Sequence, residues 1–441
     1  MTDSVSVVRP ADVAKRKRLA LLLAQAAELE HAAMSMYLFA SSTMKSTVAE
    51  GGVTLVQLET MRQWRAHMMV VAREEMEHLG IVLNLLSAIG EAPVLRRRNF
   101  PFTVEYDGDT LDLSLEPFSV RAIRSFALLE MPQGLPRNSE GWRVLGGNDP
   151  HFSPKQFDLI AKLYDEIEDL VSTIPEAHLF IGPHDAQFVN DSLMPLTIRG
   201  ISIAGAPLYN VNLTAITNRE TAVAAIKQLK EEGEGSRLEG GKESHFGIFL
   251  DILVALTTHG DPAFQPARPV LSNPTIAGTG PNRVTHPVTA RAMALFDMCY
   301  ETLTVMLSRY FAATDETPDD IYALERAAFF PMMTTVIRPL AECLTYMPAF
   351  ENGDLSVLAG PSFVLPSNLA FLPHHRAAFD LITQDYTQAI DQAHELKQLA
   401  ATRDAPAWLA AQADRITQVY QILWRSRMNL AVNRKTGKPA P

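Results

Sequence analysis

The stretch 73-REEMEHLGIVLNLLSAIGEAP-93 decides how this chain is read. Leu79, Leu83 and Leu86 recur at helical spacing, and Gly90 with Pro93 closes the run. Glu75 and His78 stand three residues apart, so one helix face presents both. A Glu-x-x-His pair facing the inside of a four-helix bundle is the recurring ligand unit of di-iron and di-manganese carboxylate proteins. The same pair also occurs on ordinary solvated helices, so the rest of the chain has to supply its partners.

Upstream, residues 12–45 read as an amphipathic helix in which Leu22, Leu23, Ala26, Leu29, Ala33 and Tyr37 form the stripe and Glu30 lies on its flank. After Gly51-Gly52 the helix of 55–90 follows, with Val70 and Val71 continuing its core side. Downstream, 94–117 alternates around Asp107-Gly108 as a short hairpin. A short helix is expected over 118–131, a loop over 132–153, and a third long helix over 154–174 with Tyr164 and Val171 in its stripe. Glu166 and Glu168 flank that stripe on opposite sides, Glu168 nearer the Tyr164 edge. Residues 175–216 read as loop, and its His178 and His184 as surface residues. Thr217 and Glu220 form a capping box that opens a fourth helix over 218–232. Four glycines in the nine residues 233–241 break this helix before it resumes near Glu243. Glu231, Glu232 and Glu234 precede the break and His245 follows it. The glycines lack the Lys-Ser/Thr pair of a phosphate loop, and acids surround them.

A chain of 441 residues with 47% hydrophobic and 20% charged residues can bury a large core. The net charge of −11 argues against nucleic-acid binding. Cys299 and Cys343 are too few for a disulfide framework and read as reduced, buried thiols of a cytoplasmic protein. The basic Lys15–Arg18 followed by LALLLAQAA imitates a secretory leader, but Gln25, Glu28 and Glu30 interrupt the apolar run. No run of about 18 apolar residues signals a membrane span. Six prolines within 258–287 mark a boundary. The expected organisation is a metal-binding bundle over 12–257, a linker over 258–287 and a helical region over 288–431. The latter holds helices at 288–311, 318–348, 371–401 and 407–430, with a kink at Arg338-Pro339. His374, His375 and His394 have no Glu at ligand spacing and read as structural or surface residues.

The first half thus offers a carboxylate (Glu30), a carboxylate with His (Glu75, His78), a carboxylate (Glu168 or Glu166), and a carboxylate from 231–234 with His245. That order matches the template in which two helices give Glu and two give Glu with His. Buried carboxylates need cations, and carboxylate with imidazole suits iron, manganese or zinc better than copper(I); iron or manganese is expected, two ions per chain. Tyr37 and Tyr164 neighbour the set, as core tyrosines or as hydrogen-bond donors.

The strings 29-LEHAAMSMYLFA-40, 75-EMEHLGIVLNLLSAIGEAP-93, 179-LFIGPHDAQ-187, 231-EEGEGS-236, 244-SHFGIF-249 and 359-AGPSF-363 resemble the ferritin-like family. More narrowly they resemble its branch containing the iminophenyl-pyruvate dimer synthase of violacein biosynthesis and stand-alone relatives. The resemblance implies an all-α fold with a ferritin-like four-helix bundle, and metal ligation by Glu30, Glu75, His78, Glu231 and His245. Two departures stand out. The glycine-rich insertion splits the fourth-helix pair, leaving Glu231 or Glu234 as ligand. Lys162 occupies a third-helix position where relatives carry Glu. The expected activity is a di-metal oxidase or oxygenase acting on a small molecule, with a non-catalytic metal- or ligand-binding protein as the alternative. Self-association into a homo-oligomer is also expected.

Overall fold

The structure is a computed structural model. It describes residues 9–132, 135, 139–146, 159–189, 197–198, 201–202, 213–234, 244–258, 263–311, 316–317, 320–321, 323–324, 328–367, 369 and 374–436.

Two 34-residue helices form the spine: α1 (Pro10–Thr43) and α2 (Leu55–Ala88). At 1.5 Å rise per residue each runs about 50 Å. Their apolar faces pack against each other along their length. Thr54 caps α2 by accepting from Gln57 N at 3.2 Å, while the Gln57 side chain accepts from Thr54 N at 2.8 Å. Gly90, at φ 82°, ends the helix in the left-handed region that a side chain disfavours.

The expected hairpin is present. Strand β1 (Phe102–Tyr106) pairs with β2 (Asp109–Leu113) across Asp107 and Gly108, both at positive φ, as a two-residue turn requires. Next come α3 (Val120–Leu129), α4 (Glu140–Val144), α5 (Leu159–Thr173) and α6 (Glu176–Leu179). Two-residue strands β3 (Thr197–Ile198) and β4 (Ile201–Ser202) pair antiparallel. Then α7 (Arg219–Glu234) and α8 (His245–Thr258) complete the first half. The side chain that caps α7 is Asn218, accepting from Thr221 N at 2.9 Å, in place of the expected Thr217. Helices α3 and α8 pack together, as do α5 and α7, and both pairs lean on the α1–α2 spine.

The proline-rich stretch runs extended and is stitched to the α1–α2 turn. Lys45 N donates to Pro266 O and Gln265 N to Gly52 O, both at 2.8 Å. Buried Arg268 pairs with Glu50 at 2.6 Å and lies 3.9 Å over the Tyr346 ring. Beyond it are α9 (Pro287–Ser308), the π-helical α10 (Ala328–Ile337), α11 (Arg338–Leu344), α12 (His375–Ala400), α13 (Ala407–Ala410) and α14 (Ala413–Thr436). Pro331 inside α10 lacks an N–H, and the wider π turn absorbs that gap. Pro339 lies where α10 passes directly into α11, Ile337 still being helical, so the change from π to α turns falls beside the proline. The expected helix over 407–430 is broken at 411–412.

Residues on both sides of the proline-rich stretch share one continuous apolar core. Ser87 at the end of α2 donates to Phe311 O at 3.0 Å, and His31 of α1 meets Tyr300 of α9 at 2.5 Å. No helix among the described residues is long and apolar enough to cross a membrane.

Candidate metal centre

The α1 stripe buries Glu30 on its flank, and α2 buries Glu74, Glu75 and His78 at mid-helix. The stripe Ile123, Phe126, Ala127 on α3 runs on to Glu130, the residue after its last turn, which is also buried. Ser244, accepting from Gly247 N at 3.2 Å, caps α8 and fixes His245 as its first residue, 1% exposed.

These side chains converge on Glu75. Its Oε2 lies 3.5 Å from His78 Nδ1, and its Oε1 lies 2.8 Å from His245 Nδ1. The two imidazoles face each other with ring centroids 5.3 Å apart. On the His78 side, Glu30 Oε2 is 3.7 Å from Nδ1; on the His245 side, Glu130 Oε2 is 3.6 Å from Nδ1. The outer nitrogens are held in the same way. His78 Nε2 meets Glu232 of α7 at 3.1 Å, and His245 Nε2 meets Glu74 at 3.0 Å. A phenol secures each outer carboxylate: Tyr164 of α5 donates to Glu30, and Tyr37 of α1 donates to Glu130. The centre therefore has two halves built to one plan and sharing Glu75. Glu30, His78, Glu232 and Tyr164 make one; Glu130, His245, Glu74 and Tyr37 make the other.

The electrostatics are those of a buried ionic cluster. Burial raises Glu30, to about 7, and the neighbouring Glu75 charge adds to the rise. Burial and Glu130 push Glu75 up, but the two imidazoles override them and hold it below its ordinary value. Burial alone would depress His78; Glu75, Glu232 and Glu30 lift it well above its ordinary value instead. His245 is lifted likewise by Glu75, Glu130 and Glu74. Burial and the adjacent carboxylates raise Tyr37 and Tyr164, so both stay protonated as donors.

Several observations fit metal ions here. Glu75 Oε1 and His245 Nδ1 are 2.8 Å apart, yet neither has a hydrogen-bond partner. Buried polar atoms left in this way need a further partner, and a bound cation would satisfy both. One ligand atom each from Glu75, His78 and His245 lie within 4.8 Å of one another. Ligand atoms about 2.1 Å from one ion stand roughly 3.0–3.5 Å apart, close to the 2.8–3.7 Å separations here. Gly233 leaves space beside Glu130: a Cβ there would stand 3.3 Å from Glu130 Oε2.

Of the residues singled out in the sequence, Glu30, Glu75, His78 and His245 come together. Glu168 lies on the outer side of α5, paired with Lys230 at 3.0 Å, and Glu166 pairs with Arg18 at 2.8 Å. The α5 side chain that reaches the cluster is Tyr164. Glu231 is exposed and pairs with Lys227 at 3.3 Å, while its neighbour Glu232 turns inward. The Glu234 side chain lies outside the described residues. Lys162 pairs with Asp109 at 2.7 Å, away from the cluster. The carboxylate the sequence reading missed is Glu130.

A ferritin-like family profile matches residues 23–254. Over 400 residues the chain is 28% identical to a dichlorochromopyrrolate synthase of Lentzea aerocolonigenes, covering 82% of this chain and 37% of that one. Over 430 residues it is 25% identical to a 2-imino-3-(indol-3-yl)propanoate dimerase of Chromobacterium violaceum, covering 91% and 38%. The chain thus spans under two-fifths of the length of either relative. A solved ferritin-like protein of Caulobacter vibrioides aligns over 78% of this chain and 98% of its own, with a TM-score of 0.46 and 15% identity. With the profile covering more than half of its length, this chain belongs to the ferritin-like family.

Proposed function

We propose that this chain binds two iron or manganese ions and uses them, with dioxygen as the oxidant, to oxidise a small organic molecule. The observation that carries the reading is that Glu75 Oε1 and His245 Nδ1, buried and 2.8 Å apart, have no hydrogen-bond partner among the described residues. Glu30, Glu75 and His78 would hold one ion, and Glu75, Glu130 and His245 the other. Such a pair, when bound, supplies electrons and a place to activate dioxygen. The protein residues do the rest. Glu75 spans the two halves and fixes their separation. Tyr164 and Tyr37 donate to the outer carboxylates and set their orientation. Burial keeps water from the centre. Both curated relatives are named as enzymes that make small molecules, one of them from an indolyl imino acid, and that supports a small-molecule substrate. An indolyl imino acid is therefore the first compound to screen. The near-complete burial of His245 favours one rival, a centre that holds metal without turnover.

The test is elemental analysis of protein purified without a metal-affinity tag, beside a Glu75→Ala/His78→Ala double mutant. About two ions per chain, absent from the mutant, are expected from the two half-sites. Oxygen uptake by the ferrous-loaded protein separates enzyme from metal holder. No metal in either protein after anaerobic ferrous loading refutes the proposal.

A further inference from the structure

The two halves of the centre share a plan but differ in what holds their histidines. Glu74, which fixes His245 Nε2, is 2% exposed and lies in the middle of α2, next to Glu75 itself. Its second oxygen accepts from Arg73 at 2.8 Å. Glu232, which fixes His78 Nε2, is 15% exposed at its side chain and belongs to the last turn of α7, a helix that rests mainly on α5. The outer carboxylates do not distinguish the halves, since the Glu30 and Glu130 side chains are 9% and 10% exposed. The orienting carboxylates do.

We propose that the two ions exchange unequally: the one at Glu30, Glu75 and His78 enters and leaves through Glu232, while the one at Glu75, Glu130 and His245 is retained behind Glu74. This rests on the two-ion reading above. The physical reason is local opening. The end of a helix frays at little cost, so the last turn of α7 can release Glu232 while the rest of the bundle stays folded. Releasing Glu74 requires unwinding the centre of α2, which disrupts the spine. Once Glu232 leaves, the His78 ring loses the partner that aims Nδ1 inward, and such partners are typically worth 10–100-fold in metal affinity. Glu232 and Glu74 are positioning residues, one in the last turn of α7 and one at the middle of α2.

The probe is Co(II), added anaerobically to the metal-free full-length chain, counted by elemental analysis and followed by its visible absorption during removal with excess EDTA. Two ions leaving in two phases, at least about tenfold apart in rate, are expected. In Glu232→Ala the fast ion should weaken roughly 10–100-fold while the slow ion keeps its rate and spectrum. Glu232→Gln, which keeps an acceptor oxygen for Nε2, should recover most of the loss, a rescue that a merely structural role for this helix end does not predict. Two ions leaving in a single phase would overturn the inference and leave the di-metal reading standing. So would a Glu232→Ala protein that loses both ions equally. A wild-type chain that binds no Co(II) would sink both.

Discussion

Gly182→Ala tests the packing that holds the end of α2. Gly182 follows α6 and lies against the last turn of α2, its N–H donating to Ala88 O at 3.0 Å. A Cβ at this position would sit 1.8 Å from Ser87 O, 2.9 Å from Ser87 C and 3.0 Å from Gly90 N. All three are backbone atoms, so no side chain can swing aside to make room. The two segments must separate by more than an ångström, which breaks the Gly182–Ala88 bond. Overpacking costs about 1–3 kcal/mol, and the lost hydrogen bond about 1 kcal/mol more. For 441 residues sharing one core, at about 2.1 cal/mol/K per residue, each kcal/mol lowers the melting temperature by roughly 1 °C, so a fall of about 2–4 °C is expected by far-UV circular dichroism. Gly247→Ala in α8 is the matched control. Its Cβ would stand 3.5 Å from Ser244 Oγ, an ordinary contact, and helix propensity alone should stabilise it by up to about 1 kcal/mol. A Gly182→Ala protein that melts as high as wild type or the Gly247→Ala control, within about 0.5 °C, would refute the argument that close backbone approach dictates this glycine.

Tyr164→Phe and Tyr37→Phe each remove the phenol donor from a buried carboxylate, Glu30 or Glu130. Each should cost about 1.5–3 kcal/mol in denaturant unfolding of the metal-free protein, and a change under about 0.5 kcal/mol would show that the phenols are only packed there. Asp297, whose Oδ1 accepts from Ser362 Oγ at 2.5 Å and Val364 N at 3.1 Å, is raised to about 7 by burial, with Arg97 opposing and Glu301 adding to the shift. The folded state therefore holds this proton more tightly than the unfolded state. The stability it contributes is complete below the ordinary value of 3.8 and is lost as pH rises to about 7. Asp297→Asn keeps the acceptor and should flatten that part of the pH–stability profile; an unchanged slope would rule out Asp297 as its source.

How much of this was legible depended on helical periodicity. Glu75 and His78 follow from spacing within one strongly periodic helix, and Glu30 from its place beside the α1 stripe. His245 was found because it follows the glycine break. Glu130 escaped because α3 is short and was not counted among the ligand-bearing helices, although Ile123, Phe126 and Ala127 predict that position 130 faces inward. On α7 the buried residues Ala222, Ala225, Ile226 and Leu229 extend to Glu232 and Gly233, so the same periodicity favours Glu232 over Glu231. The π turn of α10 and the break before α14 carry no comparable signal, since both depend on tertiary packing. Lys162 weighed in the sequence as a lost ligand position, yet α5 turns it to Asp109 and sends Tyr164 to the cluster.

A second buried polar cluster among the described residues contrasts with the first, and the contrast supports reading the first as a site. Where α1 meets α9, His31 Nδ1 donates to Leu95 O at 2.9 Å, Arg97 donates to Phe363 O at 2.5 Å, and Asp297 accepts from Val364 N. Each is tied to backbone, and His31 is depressed to about 3 by burial and by Arg97, so it stays neutral. That is how a polar group is made compatible with a core. Around Glu75 the side chains instead turn toward one another, and Glu75 Oε1 and His245 Nδ1 are left without hydrogen-bond partners. A buried ionic cluster is a poor source of stability, because well-packed apolar residues of similar volume usually serve as well or better. Five side chains drawn from α1, α2, α8 and the end of α3 onto one such point therefore need a reason outside stability, and the proposed metal binding would supply it.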